Sequence, residues 1–576
     1  MAILQAMLAV CMGISLKIIL SNYLLMAILQ AMLAVCRGVS LKIKLSNYLL
    51  IAILQAMLAV CMGADMDMIN HVINVYKNCG LKPAVKTVLN VMVTASSARK
   101  QRLFYSRSFF SESERENTSI SGYRIVKTDG VRLHMDMVCE LHKIIEEKNP
   151  AVIYTDELRN GEFLYKPDFA PDNLEAHNYI GNCIIVREDL FDDTAGALTG
   201  GTSLWSFNRY ICGKCICNNG ADNRSISDKC ISSNCLDEKF PGGGIAHVSR
   251  ALFEDEGYVD DEPVDNEISH ISHAISHDNQ YTGINNAADT DIDMANETLI
   301  SIIIPNYEHV DDLRRCVESL LYVNSYKNIE IIIVENNSKS DEIFAYYDEI
   351  LKQQPDIVKV VKWEGSFNYS AINNYGVGFA KGELLLLLNN DTKLIEPGSL
   401  YAMARYALRE NTGAVGACLL YEDKTVQHAG VIVGIGPDRT AVHPNSGVPF
   451  IEKGYRESIH HVQNYSAVTG ACLMVKKVLY DRLGGLDEEL AVAYNDVDFC
   501  LRLRTRGLLN VYVPQAFFFH YESRSRGYDD RGERHERFLR ESALFRDRWQ
   551  GIIADGDPYY NRCLSKTVPW KPELKA

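Results

Sequence analysis

Basic residues are in the minority here: 59 Lys and Arg stand against 74 Asp and Glu, a net charge of −15. That balance argues against a nucleic-acid binder, which advertises a basic face. It leaves diphosphate ligands open, because an acidic protein binds them through a metal ion. A dense, small-domain cysteine framework is missing too, since sixteen Cys are spread along 576 residues, many inside apolar segments. They read as reduced, buried thiols, which points to a reducing, cytoplasmic compartment. From Leu299 onward neither a GxGxxG nor a Walker A sequence occurs, so no glycine loop cradles phosphates there. That lack excludes an NAD dehydrogenase. It also disfavours a sugar nucleotidyltransferase, because Pro305-Asn306-Tyr307-Glu308 is not a glycine-rich basic loop. Met1 opens an apolar stretch with no basic leader and no small-residue cleavage site, so no secretory signal is expected.

The length, with 47% apolar and 23% charged residues, leaves room for two to four domains. Residues 1–64 are a tandem repeat with a period of 25, in which Gln5, Gln30 and Gln55 keep phase. Helices are expected there. Two uncharged windows, 18–36 and 45–64, are about long enough to cross a bilayer. Their Gln, Asn and Ser content, punctuated by Lys17, Arg37, Lys42 and Lys44, favours interfacial or bundled helices, with peripheral association at the inner face of a membrane. Residues 65–250 read as a partial α/β region, in which Ala151 to Tyr154 is a strand with Thr155-Asp156-Glu157 at its end. Its cluster of Cys212, Cys215, Cys217, Cys230 and Cys235 lacks the paired knuckles of a zinc site and reads as a loop with incidental thiols. Residues 251–298 are acidic and rich in His, Asn and Asp, the composition of a linker, and His270, His273 and His277 read as solvated linker residues. The catalytic module is expected over 299–562, with 563–576 as a tail.

Within that module strand-like and helix-like segments alternate, the pattern of a parallel sheet in an α/β fold. Leu384 to Leu388 is an unbroken apolar run, a strand buried on both faces, and it delivers Asn389-Asn390-Asp391. Ligands bind at the carboxyl ends of such strands. An Asp beside two amides there suits a divalent cation bridging nucleotide phosphates. Other strand ends carry Pro305-Asn306-Tyr307 and Glu335-Asn336-Asn337-Ser338, where an acidic residue can accept hydrogen bonds from a base or ribose, and Asn337 or Ser338 can cap a helix. Asp498 through Arg506 reads as a helix, which puts Asp496 near its N-terminus, where a cap is the plain reading. His520 ends the strand Phe517-Phe518-Phe519, a place for a metal ligand.

The ordered set of motifs resembles a family 2 glycosyltransferase of the GT-A fold, similar to bacterial enzymes of surface-polysaccharide and rhamnan synthesis. Its pieces include Ser301 to Asn306, Ile333 to Ser338, Asn368 to Asn374, Leu388 to Asp391, Gln427 to Gly430, Ala467 to Cys472, Gly484 to Glu488, Asn495 to Asp498 and His520 to Ser523, a little under half the chain. The resemblance implies a Rossmann-like, mixed but mainly parallel sheet flanked by helices, and inverting transfer from a nucleotide-diphosphate sugar to a glycan or lipid-linked glycan hydroxyl. It implies Pro305, Asn306, Tyr307, Glu335, Asn337, Asn374, Asn389 and Asn390 around the donor, Asp391 and His520 on Mg²⁺ or Mn²⁺, and Asp496 as catalytic base. Many relatives have Asp where Asn389 stands and Glu where Asn495 stands. Residues 143–193 resemble the later half of a second such domain, with Asp129 as a candidate remnant of its metal motif; that copy is expected to be catalytically dead. The alternative is a degenerate, non-catalytic protein that binds a nucleotide sugar or a glycan-assembly partner.

Overall fold

The computed structural model describes residues 120–192, 204–216, 244–255, 298–521 and 532–571, apart from Asp129, Met135 and Pro437. The tandem repeats, His270, His273, His277 and the side chains of Cys215, Cys217, Cys230 and Cys235 lie outside the described residues. No helix among the described residues is long and apolar enough to cross a membrane.

The upstream region runs β1 (Tyr123–Lys127), β2 (Val131–Leu133), α1 (Met137–Lys148), β3 (Val152–Arg159) and β4 (Glu162–Leu164). It continues through α2 (Pro171–Ala176), β5 (Cys183–Arg187), α3 (Glu188–Asp192), α4 (Leu204–Ile216) and β6 (Ile245–Asp255). Two sequence expectations change here. Strand β3 does not stop before Asp156 and Glu157 but carries both, buried, inside the sheet. The linker does not begin at 251 either: Leu252 and Phe253 are buried in the core and Glu254 pairs with Arg132 at 2.5 Å, so β6 continues through Asp255.

The downstream region starts with β7 (Ile300–Asn306), α5 (Val310–Glu318), β8 (Ile329–Asn336), α6 (Asp341–Gln353), β9 (Val358–Trp363), α7 (Tyr369–Val377) and β10 (Leu384–Leu388). Next come β11 (Thr392–Leu394), α8 (Ser399–Ala407), β12 (Thr412–Leu420), β13 (Val426–His428), β14 (Ile432–Val433), β15 (Ala441–Val442) and β16 (Gln463–Tyr465). It closes with β17 (Cys472–Lys476), α9 (Lys477–Leu483), α10 (Asn495–Arg504), β18 (Leu509–His520) and α11 (Gly532–Asp555).

The main sheet runs β11-β18-β12-β17-β10-β7-β8-β9. Strands β10, β7, β8 and β9 pair in parallel, so their carboxyl ends share one side. Strand side chains alternate between faces. Leu384, Leu386 and Leu388 therefore join the core under α5, α6 and α8, while Leu385 and Leu387 join the core under α7, α9, α10 and α11. Helices on both faces explain why the strand is apolar at every position.

The upstream sheet repeats half of this plan. Its order β1-β5-β3-β6-β2, with β4 beside β3, matches β10-β17-β12-β18-β11 with β13 beside β12. Strand directions agree at each pairing: β3 and β6 are parallel, as are β12 and β18, and the other pairs are antiparallel. Registers agree as well. Lys127 faces Cys183 as Leu388 faces Cys472, and Val131 faces Asp255 as Thr392 faces His520. No counterpart of β7, β8 and β9 occurs among the described upstream residues.

Candidate active site

Three parallel strands end side by side and present Asn306, Glu335 and the Asn389-Asn390-Asp391 turn. The turn is fixed by its backbone: Asn389 N–H donates to Ala471 O at 3.0 Å, and Tyr521 N–H donates to Asp391 O at 2.9 Å. Because β11 pairs with the last residues of β18, Asp391 and His520 meet, with Asp391 Oδ1 3.1 Å from His520 Nε2. Asn389 Nδ2 lies 3.3 Å from the same nitrogen.

Asn390 Nδ2 donates to Asn306 Oδ1 at 2.7 Å, and Asn306 Nδ2 donates to Tyr347 Oη at 2.8 Å. Tyr347 Oη in turn donates to Glu335 Oε2 at 2.5 Å, and Ser338 donates to both Glu335 oxygens. Glu335 is thus buried and bonded both to its own loop and to α6. Tyr307 stands exposed beside it and Pro305 is half-buried. Asn337 adopts φ 59° and holds Gly365 O at 3.0 Å. Asn374 lies apart from this group. Its amide is committed to Leu486 N and O, Glu488 and Tyr480, where it holds the turn containing Gly484 and Gly485.

Tyr494 takes a left-handed φ of 61° and starts α10 at Asn495. Asp496 is the second helical residue. Its Oδ1 accepts from Val497 N–H and its Oδ2 from Gly470 N–H, each at 2.8 Å. It is half-buried. Asp498, by contrast, is fully buried and bonded to Arg502, Arg548 and Trp549, at 2.7, 2.9 and 3.0 Å. Tyr369 Oη lies 3.0 Å from both Asn389 Oδ1 and Gly470 O, so it touches both the Asn389 turn and the loop that bonds Asp496. His428, fully buried, has Nε2 3.4 Å from the N–H groups of Gly430 and Thr469 and Nδ1 3.0 Å from His443 Nδ1. Burial, with His443 and His520 nearby, holds its imidazole well below the usual range, so it is neutral. Tyr347 and Tyr369 were not singled out from sequence. Tyr369 stands in the Asn368-Tyr369-Ser370 motif, which was a signal; Tyr347 is one of several aromatic residues on a helix face and gave none.

The residues present fit a hexacoordinate cation. Cis ligands of Mg²⁺, at about 2.1 Å from the ion, lie about 3 Å apart, and the Asp391–His520 separation is 3.1 Å. Both are buried, and His520 Nδ1 has no hydrogen-bond partner among the described residues. No group of three or more His, Cys, Asp or Glu among the described residues is placed to hold a metal ion. Two protein ligands, with substrate phosphates and water completing the shell, is the usual Mg²⁺ arrangement.

Residues 301–465 match the sequence model of Glycosyl transferase family 2. The chain carries a family 2 glycosyltransferase domain. Uncharacterized protein y4gI of Sinorhizobium fredii is 41% identical over 273 residues, 47% of this chain and 30% of that protein. O-antigen biosynthesis protein RfbC of Myxococcus xanthus is 39% identical over 272 residues, 47% of this chain and 20% of that protein. A shorter stretch of 62 residues, 11% of this chain and 20% of the relative, is 39% identical to N-acetylglucosaminyl-diphospho-decaprenol L-rhamnosyltransferase of Mycobacterium tuberculosis. The chain spans under a third of the length of the first two relatives. The glycosyltransferase domain is a mixed α/β sheet flanked by helices, as the sequence led us to expect.

Proposed function

We propose that residues 299–562 catalyse metal-dependent, inverting transfer of a sugar from a nucleotide-diphosphate donor to a hydroxyl of a growing surface glycan or its lipid-linked form. One observation carries this reading: Asp391 with His520 at one end, and Asp496 at the other, are joined by one path of polar contacts through Asn389, Tyr369 and Gly470. Asp391 and His520 would hold Mg²⁺ or Mn²⁺, which supplies counter-charge for the departing diphosphate. Pro305, Asn306, Tyr307, Glu335, Asn337 and Asn390 would form the nucleoside side of the cleft, with the exposed Tyr307 ring offering a stacking face. Asn374 serves by holding the Gly484-Gly485 turn.

Asp496 would accept the acceptor hydroxyl's proton as that oxygen attacks the anomeric carbon from the face opposite the leaving group. The Gly470 and Val497 N–H groups fix its carboxylate, each on one oxygen, and leave lone pairs for the substrate. The likeness to O-antigen and rhamnosyl enzymes supports a surface-polysaccharide acceptor. A cytoplasmic placement, with peripheral contact at the inner membrane face, suits such substrates. The upstream half-sheet has Gly130 where Asp391 stands and Asp255 where His520 stands, and we assign it no catalytic part.

The test is a scan of UDP-, GDP- and dTDP-sugars with Mn²⁺ or Mg²⁺, following released nucleoside diphosphate. Asp391→Ala should abolish metal-dependent turnover. Asp496→Asn should lower kcat about 10²–10⁴-fold with donor binding retained. Donor-induced thermal stabilisation without release or transfer in the native protein would instead favour the non-catalytic binder.

A further inference from the structure

We propose that Tyr369 is a positioning residue whose single hydroxyl couples the donor-side turn to the loop that holds the base. The inference deepens the glycosyltransferase reading and rests on it. Tyr369 is the first residue of α7, and its backbone is anchored on both sides. Its N–H donates to Ala491 O at 2.8 Å, and the preceding Asn368 caps the helix through Ala371 N–H at 3.0 Å while its amide donates to Glu488 O at 2.9 Å. The phenol therefore projects from a fixed point.

The hydroxyl carries one proton and faces two acceptors, Asn389 Oδ1 and Gly470 O, at 3.0 Å each. On the donor side this bond turns the Asn389 amide so that its Nδ2–H faces His520 Nε2 at 3.3 Å. With the amide N–H on it that nitrogen is unprotonated, and a bound cation would take the amide's place on its one lone pair. On the base side, the Gly470 peptide is held at both ends. Its carbonyl accepts from Tyr369, and its N–H donates to Asp496 Oδ2 at 2.8 Å. A Cβ at 470 would lie 3.3 Å from Asp496 Cβ, tight by a few tenths of an ångström, and 3.7 Å from Tyr369 Oη, an ordinary contact. The chain Asp391–His520–Asn389–Tyr369–Gly470–Asp496 is continuous, and Tyr369 is the link in it that belongs to neither half.

Tyr369→Phe keeps the ring and removes only the hydroxyl, and it is to be measured in the full chain beside the native protein. The first readout is the Mn²⁺ half-point of thermal stabilisation with UDP, GDP and dTDP in turn; the second is kcat and donor KM. Loss of the hydroxyl should raise the Mn²⁺ half-point and lower kcat, each about 10–100-fold, with donor KM at saturating metal within about twofold. Placed on Asp496→Asn, Tyr369→Phe should leave kcat where Asp496→Asn alone puts it, while the metal half-point still shifts. Gly470→Ala, which crowds the base side alone, should lower kcat and spare the metal half-point. Native values for Tyr369→Phe in an active native enzyme overturn the coupling and leave the transferase reading standing. A lowered kcat with an unmoved metal half-point overturns it as well. A native protein that neither turns over nor is stabilised with any of these probes takes both readings down together.

Discussion

Asp498 is fully buried and commits both carboxylate oxygens to Arg502, Arg548 and Trp549, while Asp496, two residues earlier, bonds only backbone N–H groups at the cleft. Which of two nearby carboxylates is structural was not readable from Asn495-Asp496-Val497-Asp498, because Arg548 and Trp549 come from a helix some fifty residues on. The same scale governs the response to acid. Burial pushes His177 and His428 well below the usual imidazole range and His460 down to about 4, although the His460 ring bonds Phe450 O. Their unfolded values lie near 6.5. Below that the unfolded chain binds protons that the folded chain refuses, so each of the three removes stability as pH falls, at up to about 1.4 kcal/mol per pH unit per proton. His247 works the other way. Burial opposes its charge, but Asp156 and Asp168 at 2.9 and 3.1 Å win and hold it above the usual value. Its contribution is complete in acid and is lost as pH rises through that raised value. Three groups against one predict a lower Tm at pH 5 than at pH 7, with a shallower slope in His177→Phe. A Tm independent of pH over that span would refute this.

Elements were legible where local pattern decides them. Leu384 to Leu388 read as a doubly buried strand and is one, and the helix starting at Tyr369 follows its capping Asn368. Strand β3 was misjudged because Asp156 and Glu157 look like a strand's polar end. Partners far along the chain hold them inside instead: Asn561 and His247 on Asp156, Lys166 on Glu157 at 2.8 Å. The short helix α2 is a similar case. Nothing in Pro171 to Ala176 announces a partner, yet Asp172 and Asn173 clamp strand β16. Asn464 N–H donates to Asn173 Oδ1 and Asn464 Nδ2 to Asp172 Oδ2, each at 2.6 Å, and Arg409 pairs with Asp172 at 2.8 Å. Strand β16 leads within a few residues to Gly470. Asp172→Ala removes one partner of a buried, charged cluster, a class of change that costs about 3–5 kcal/mol. Thermal or denaturant unfolding should register that loss, whereas Glu188→Ala, at an exposed ion pair, should change stability by less than about 1 kcal/mol.

At the scale of the molecule, the described upstream residues form half of the sheet plan that the downstream region forms whole. The upstream sheet lacks counterparts of β7, β8 and β9 among the described residues, the strands that in the complete domain supply Asn306 and Glu335. What it has is a polar seam against the downstream region. Asp168 N–H donates to Pro558 O at 2.7 Å, Asn561 donates to Asp156 and to Lys166 O, Arg456 donates to Tyr179 O at 2.9 Å, and the Asp172 and Asn173 clamp completes it. Seams between independent domains are small and mobile, but here many of the bonding groups are buried on both sides, and separation would leave them without partners. The two sheets should therefore unfold together. Calorimetry of the full chain is predicted to show a single transition over the described regions. Asn561→Ala, which strips one of the donors from buried Asp156, should split or broaden that transition while leaving the metal-dependent reaction in place below it. Two resolved transitions in the native protein would mean that the seam is a contact rather than a joint. The upstream sheet would then be a passenger whose removal leaves the catalytic domain as stable as before.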